Sequence, residues 1–333
     1  MMQAMLYGAG DLRLERRPLD PSALGPNEVF VHTEVTALST GTDLGNYEGR
    51  STEVPGAPDY PRPVGYSNAG VIEAAGASVS RFQPGQRVFS TKPHQSAYIA
   101  PESDLLIPIP ACLSSEQASL AYLTQLGLAA LRQTHYEPGE TVAVVGLGVI
   151  GLATVGLARA LGAQVLAVAN SPARAEAALR AGAHSALLSH EIGSELDSSS
   201  DIVILTANTW DAFRVSVKLA RTTGRVGILG FPGRAQPAPG FNPLDPSWFY
   251  GKQLSLVAAG HSPRLECLPS ELRFNLRRNL ACVLNLMASG ELALDALISH
   301  RFPAERMREA YELARQHSKD LVAAVFDWRQ VAG

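Results

Sequence analysis

Between residues 27 and 110, apolar and polar positions alternate with period two over short stretches. Val29, Val31, Thr33 and Val35 fall on one side of a strand, and Ala69-Gly-Val-Ile, Arg87-Val-Phe and Ala97-Tyr-Ile-Ala read as further strands. Gly76-Ala-Ser and Gln83-Pro-Gly-Gln mark reversals between them, and Pro108-Ile-Pro110 marks the exit. The pattern predicts a β-rich N-terminal domain of irregular barrel type. From Ser115 to Arg132 the chain turns to helix formers, which predicts a helix leading into a second domain.

The period changes at Thr141. Thr141-Val-Ala-Val-Val is an apolar run short enough for a buried parallel strand, and it passes directly into Gly146-Leu-Gly148-Val149-Ile150-Gly151, the spacing of a dinucleotide-binding turn. Gly146 permits the tight turn, Gly148 lets a pyrophosphate approach the backbone, and Gly151 lets the following helix press onto the strand. The phosphates then meet the helix N-terminus. The uncharged stretch from Thr141 to Ala158 approaches the length of a membrane span, but its four glycines divide it into strand, turn and helix. The helix runs to Leu161, Gly162 caps it, and a second strand follows from Val165 to Ala169.

Ser185-Ala-Leu-Leu, Asp201-Ile-Val-Ile-Leu and Arg225-Val-Gly-Ile-Leu-Gly continue as strands, with a helical pattern from Asp211 to Leu219 between the last two. Such alternation predicts an α/β fold, a doubly wound parallel sheet of Rossmann type. Ligands bind these sheets at the carboxyl ends of strands, which nominates Thr206, Ala207 and Asn208, and Gly230 and Phe231, as cofactor contacts. Leu254 to Gly260 reads as the last strand, whose edge needs cover. Glu271 to Ser289, ended by Gly290, and Ala304 to Ala314 read as helices.

Cofactor choice rests on the end of the second strand. An acid about 20 residues beyond the glycine turn accepts from the ribose 2′-hydroxyl of NAD and repels the 2′-phosphate of NADP. Ala169 stands there, followed by Asn170, Ser171 and, one turn into the next helix, Arg174. Small and hydroxyl residues leave room for a phosphate that Arg174 can pair with, so the expected cofactor is NADP(H).

At 333 residues the chain is long enough for two domains. Its 46% hydrophobic content and net charge of −3 describe a soluble globular protein, with no basic surplus for nucleic acid. The first 25 residues are punctuated by charges and lack the apolar core of a secretory signal, so the expected compartment is the cytoplasm. Cys112, Cys267 and Cys282 are far apart and form neither a disulfide framework nor a CxxC pattern.

Three further segments carry a resemblance. Ala37-Leu-Ser-Thr-Gly-Thr-Asp is similar to the Cys-Gly-Thr-Asp segment of the medium-chain dehydrogenase/reductase superfamily, Gly65-Tyr-Ser to its Gly-His-Glu segment, and Gln83-Pro-Gly-Gln-Arg-Val to its Pro-Gly-Asp-Arg-Val turn. The likeness spans nearly the full length. It implies a GroES-like catalytic domain from residues 1–122 and 261–333, a Rossmann domain at 123–260, and a homodimer formed through the last Rossmann strand. It also places Thr40 in the slot of the zinc-ligand cysteine, Tyr66 in that of the ligand histidine and Ser67 in that of the neighbouring glutamate, with no cysteine near the third ligand position around Tyr122. Hydroxyls are poor zinc ligands beside thiolate and imidazole, so no metal is expected. The wording is closest to a zinc-free branch that includes bacteriochlorophyllide dehydrogenase.

Without zinc, hydride transfer to or from an alcohol, carbonyl or conjugated alkene needs a hydrogen-bond donor to polarise the acceptor. Thr42, Tyr66 and His94 are the candidates for catalysis, and Thr40 is a further cofactor contact. Each has a plainer reading: a helix cap, an aromatic filler, a surface histidine. The expected function is a zinc-independent, NADP(H)-dependent oxidoreductase acting on a small molecule. A nucleotide-binding sensor or structural dimer with a decayed cleft is the alternative.

Overall fold

Alternation in the N-terminal segment becomes a ten-residue strand at the centre of a sheet. A computed structural model describes residues 1–50, 59–234, 236–260, 262, 274–316, 318 and 320–331. In chain order its first strands are β1 (Met2–Leu6), β2 (Leu12–Arg16), β3 (Glu28–Ala37), β4 (Arg62–Pro63), β5 (Asn68–Ala75), β6 (Arg87–Ser90), β7 (Ala97–Pro101) and β8 (Leu106–Pro108), with a short helix α1 (Thr42–Tyr47) after β3. Val29, Val31, Thr33 and Val35 of β3 are buried, as period two predicts, and the residues between them are half-exposed. The alternation stops at a register irregularity between Thr33 and Val35, after which Thr36 and Ala37 are buried as well. Thr36 thereby turns inward, and the site below depends on it.

The helix expected over Ser115 to Arg132 is two helices, α2 (Ser115–Ser119) and α3 (Ala121–Gln133). Ser114 and Gln117 form a capping box at the start of α2, and the Ser119 hydroxyl donates to the Glu116 carbonyl at 2.7 Å, closing α2 after little more than one turn. Then come β9 (Thr141–Val145), α4 (Val149–Ala160), β10 (Gln164–Ala169), α5 (Pro172–Arg180), β11 (Ser185–Leu188), β12 (Ser200–Leu205), α6 (Trp210–Leu219), β13 (Ala220–Ile228) and β14 (Ser255–Ala258). The last elements are α7 (Leu276–Ala288), β15 (Ile298–Pro303), α8 (Met307–Arg315) and β16 (Ala323–Asp327). Helix α7 starts later than the expected Glu271, and residues 271–273 lie outside the described ones. The helix expected from Ala304 opens with a 3-10 turn, Ala304–Arg306.

The chain divides into two units. The first comprises Met1–Tyr122, Leu280–Ala288 and Asp295–Gly333, the second Leu123–Asn279 and Ser289–Leu294. The return to the first unit therefore begins at Leu280, whereas the resemblance put it at 261. Ser262 and Asn279 stay with the second unit, where the Ser262 hydroxyl and the Asn279 amide both donate to the Gln125 side-chain carbonyl.

Within the first unit, seven strands pair along the order β15-β16-β3-β5-β6-β8, with β7 also on β3, and a three-stranded sheet runs β2-β1-β4. One apolar cluster joins Val29, Val31, Ile72, Val88 and Leu106; another joins Leu6, Leu38, Tyr47, Tyr311, Phe326 and Trp328. The second unit holds the α/β element. Its six strands run β11-β10-β9-β12-β13-β14, all parallel, around a core that includes Val145, Val168, Val203, Leu205 and Val226. No helix among the described residues is long and apolar enough to cross a membrane.

Candidate active site

In the second unit, three strand exits converge on the glycine turn after β9. Gly146 has φ +96°, and a Cβ there would sit 2.7 Å from the Ala207 amide nitrogen. The Thr206 hydroxyl donates to the Gly146 carbonyl at 2.7 Å. Gly151 approaches so closely that a Cβ would lie 1.9 Å from the Gly146 carbonyl oxygen, which is the helix-on-strand contact expected of the third glycine. Gly148 differs from both. It is the N-cap of α4, exposed, with open space where a Cβ would project. The first-turn amides of α4, those of Val149 and Ile150 among them, have no intrahelical acceptor. Beside this turn the Asn208 side-chain oxygen accepts from the Phe231 amide at 2.9 Å, and a Cβ on Gly230 would lie 2.5 Å from the Ala207 carbonyl oxygen. Thr206, Ala207, Asn208, Gly230 and Phe231 are thus brought to one edge of the sheet with the turn.

At the end of β10, Ala169 is buried and Asn170 exposed. Ser171 is the N-cap of α5, and its hydroxyl makes no capping bond. Arg174, half-buried, follows one turn on, and no acid stands between 169 and 174. An open cradle at Gly148 and a helix start whose hydroxyl is not engaged fit a dinucleotide.

The first unit gathers the hydroxyl candidates. The turn between β3 and α1 puts Thr40 half-buried and Thr42 exposed at the first position of α1; the Thr42 amide donates to the Ser39 hydroxyl at 3.3 Å. Neither threonine caps the helix, because Gly41 is the N-cap and makes no side-chain bond. Tyr66 is half-buried, with Ser39, Thr42 and Asp43 of the β3–α1 turn near its phenol. Burial raises the phenol's pKa well above its ordinary value, and the nearby Asp43 carboxylate adds to the rise. The phenol therefore keeps its proton. The Tyr66 ring meets Tyr122 edge-on, centroids 4.7 Å apart. Ser67 is buried and donates to the Ser119 carbonyl at 2.5 Å, a packing bond.

His94 is not a surface histidine. It has no exposed surface, its Nδ1 lies 2.8 Å from the Thr36 hydroxyl, and that hydroxyl accepts from Trp328 Nε1 at 2.9 Å. Its ring lies behind Gly65, where a Cβ would collide with it at 2.5 Å. Nε2 faces Asp43 Oδ2 at 3.8 Å, outside hydrogen-bonding range. Tyr47 of α1 is 2% exposed and donates to Glu312 at 2.5 Å, with its phenol pushed up to about 12 by burial and by that carboxylate.

Sequence reasoning missed Asp43, Ser39 and Tyr122 as parts of this site. Asp43 is 1% exposed, the one carboxylate among the described residues that is fully buried. The available signal was its place in an otherwise apolar and small stretch after Leu38, where a charge must find partners.

The donor set decides whether zinc fits. At the three positions the resemblance assigns to ligands, the nearby groups are the hydroxyls of Thr40 and Tyr66 and the Tyr122 ring. No thiolate or imidazole is present among them, and no cluster of three metal-binding side chains occurs among the described residues. This set does not fit a zinc ion.

Residues 149–268 match the family described as zinc-binding dehydrogenase, and residues 25–106 match the alcohol dehydrogenase GroES-like domain. The chain is 24% identical to the sorbitol dehydrogenase of Bacillus subtilis (strain 168) over 359 aligned positions, covering 96% of this chain and 95% of that one. It is 33% identical to the quinone oxidoreductase of Pseudomonas aeruginosa over 201 positions, covering 57% and 59%. A solved structure from Sinorhizobium meliloti 1021 bound to NADP superposes with a TM-score of 0.78 at 20% identity, covering 98% of each chain. Both domain matches, the near-complete coverage and the glycine turn place the chain in the medium-chain dehydrogenase/reductase superfamily of oxidoreductases, to which it belongs.

Proposed function

We propose that the protein is a zinc-independent, NADP(H)-dependent oxidoreductase acting on a small alcohol, carbonyl compound or conjugated alkene. The observation that supports this is the half-buried Tyr66 phenol, edge-on to Tyr122 and beside the buried Asp43 carboxylate, at the position the resemblance gives to a metal-ligand histidine. A bound nicotinamide supplies or takes the hydride. The chain's part is to bind and to polarise. Gly148 and the first-turn amides of α4, held in place by the turn at Gly146 and the packing at Gly151, would receive the pyrophosphate; Asn170, Ser171 and Arg174 would receive the 2′-phosphate; Thr40, Thr206, Ala207, Asn208, Gly230 and Phe231 are the remaining proposed contacts. Tyr66 and Thr42 are the neutral donors for the acceptor's oxygen, and Tyr66 holds the proton it needs. Among the described residues β14 is an edge strand of the parallel sheet, which supports a homodimer through that strand.

The test is cofactor turnover by the purified protein against a panel of carbonyls, quinones and enones, with elemental analysis of the same preparation. Turnover with NADPH at a rate unchanged by chelators, and no stoichiometric zinc, is the expected result. One tightly held zinc per chain would overturn it. Tight NADPH binding without turnover would favour a nucleotide sensor.

A further inference from the structure

Asp43 holds the two segments that meet at Tyr66. Its Oδ2 accepts from the Ser39 amide at 3.0 Å and its Oδ1 from the Gly65 amide at 3.1 Å. One carboxylate therefore ties the β3–α1 turn to the residue immediately before Tyr66. The Ser39 hydroxyl accepts from the Thr42 amide at 3.3 Å, so the same turn is tied within itself as well as to Gly65. A buried carboxylate costs several kcal/mol unless its lone pairs are met, so the two amides fix it tightly in return.

The wall behind is equally fixed. Gly65 has φ +89° and packs onto the His94 ring with no room for a side chain. If Thr36 accepts from Trp328 and donates to His94 Nδ1, the ring's proton sits on Nε2 and faces Asp43. The chain of contacts Trp328, Thr36, His94 backs Gly65 on one side while Asp43 holds it on the other. The buried Ser67 hydroxyl, by contrast, bonds to the Ser119 carbonyl.

We infer that Asp43 is a positioning residue for Tyr66: its carboxylate fixes the backbone at Gly65, the residue before the tyrosine, against the β3–α1 turn. The inference rests on Tyr66 being the donor proposed above. The titratable groups around the phenol are Asp43, Tyr122 and the buried Tyr311, with Ser39 and Thr42 also near it. Asn at position 43 keeps the size of Asp but opposes an amide N–H to one of the two backbone donors and removes the charge.

A double-mutant cycle on a verified substrate tests this. Tyr66→Phe alone should slow kcat by about 10²- to 10³-fold, the usual cost of one such donor. Asp43→Asn alone should slow kcat by roughly 10- to 100-fold, the scale of a misplaced catalytic group, with NADPH affinity unchanged. Its alkaline limb should move to lower pH, because removing a neighbouring negative charge lowers the phenol's pKa. In the double variant Asp43→Asn should add nothing to Tyr66→Phe. Multiplicative losses, or an Asp43→Asn protein with full kcat and an unmoved alkaline limb, would overturn the inference while leaving Tyr66 as donor. Full kcat in Tyr66→Phe would instead remove the donor reading itself. Should Asp43→Asn not fold, Asp43→Glu, which keeps the charge but displaces its oxygens from the two amides, enters the same cycle, where non-additivity with Tyr66→Phe supports the positioning role and additivity refutes it.

Discussion

Replacing Gly148 by alanine separates the folding role of the glycine turn from its binding role. Gly148 has φ −74° and ψ −170°, which alanine adopts without strain, and a Cβ there meets nothing within 4 Å. Two effects on stability oppose each other. Alanine restricts the unfolded chain and stabilises by about 0.4–1 kcal/mol, while alanine is a poorer N-cap than glycine by a few tenths of a kcal/mol or more. The net should stay within about 0.5 kcal/mol, a shift in Tm of roughly 1–2 °C. Binding should respond differently. The new methyl occupies the space a pyrophosphate needs to reach the first-turn amides of α4, and one lost hydrogen bond to a charged group costs about 1.5–3 kcal/mol. NADPH affinity should therefore fall roughly 10- to 150-fold, read by titrating NADPH fluorescence alongside a thermal melt. Gly151→Ala is the contrasting control: its Cβ would lie 1.9 Å from the Gly146 carbonyl oxygen, so the helix must move. Overpacking of about 1–3 kcal/mol lowers Tm by about 2–12 °C. If Gly148→Ala binds NADPH like the parent protein, the phosphates do not lie over Gly148 and the cofactor reading of this turn fails.

Arg174→Ala should weaken NADPH by about 1–3 kcal/mol, the worth of a charge-assisted bond, and leave NADH unaffected; equal losses for both cofactors would refute a 2′-phosphate contact. Thr36→Val leaves Trp328 Nε1 and His94 Nδ1 buried without their shared partner, which should cost about 2–6 kcal/mol in urea unfolding, and a loss under about 0.5 kcal/mol would show that the hydroxyl is dispensable. Asp201 accepts from the Thr141 amide at 2.8 Å and pairs with Arg221; burial raises its pKa, but these bonds outweigh it and the net shift is downward. A lowered folded-state pKa means the stabilisation is complete above the unfolded value near 4 and is lost as pH falls through the folded one. The stability gap between the parent protein and Asp201→Asn should thus be widest above about pH 5 and close on acidification, and a gap independent of pH would refute the pairing.

The parts of this fold that were legible in the sequence are those where local pattern and burial agree. A strand buried on both faces, such as β9, must be continuously apolar, and a tight turn to a closely packed helix must be glycine, so Thr141 to Gly151 announced itself. The alternation of β3 was legible as far as Val35 and misleading beyond it, because the irregularity that turns Thr36 inward is set by pairing with β5 and β16. The break at Leu120 lay in capping chemistry that a helix-rich composition conceals. His94 was the hardest to place. Its environment comes from Thr36, Asp43, Gly65 and Trp328, the last more than two hundred residues away, and a histidine in a loop carries no local mark of burial.

That contrast explains why the cofactor can be argued further than the substrate. The nucleotide turn is built from backbone: a positive φ at Gly146, a contact at Gly151 that admits no side chain, and amides that any sequence supplies. Such geometry asks only for the glycines and leaves the other positions free. The proposed donor site in the other unit is built from side chains, and the groups in the ligand slots of the resemblance, Thr40, Tyr66 and Tyr122, carry neither thiolate nor imidazole. A change from metal ligands to hydroxyls preserves the fold and alters what it can polarise. A zinc ion brings two positive charges to an oxyanion, whereas a phenol brings a partial charge and one transferable proton. The buried Asp43 charge beside it raises the cost of giving that proton up, so the phenol serves best as a hydrogen-bond donor and only weakly as an acid. Substrates whose acceptor is already activated by conjugation, such as enones and quinones, place the smallest demand on such a donor. Among the carbonyls, quinones and enones in a turnover panel, the conjugated members should therefore show the higher kcat/KM, and a preference for simple ketones would point to a stronger electrophile than Tyr66.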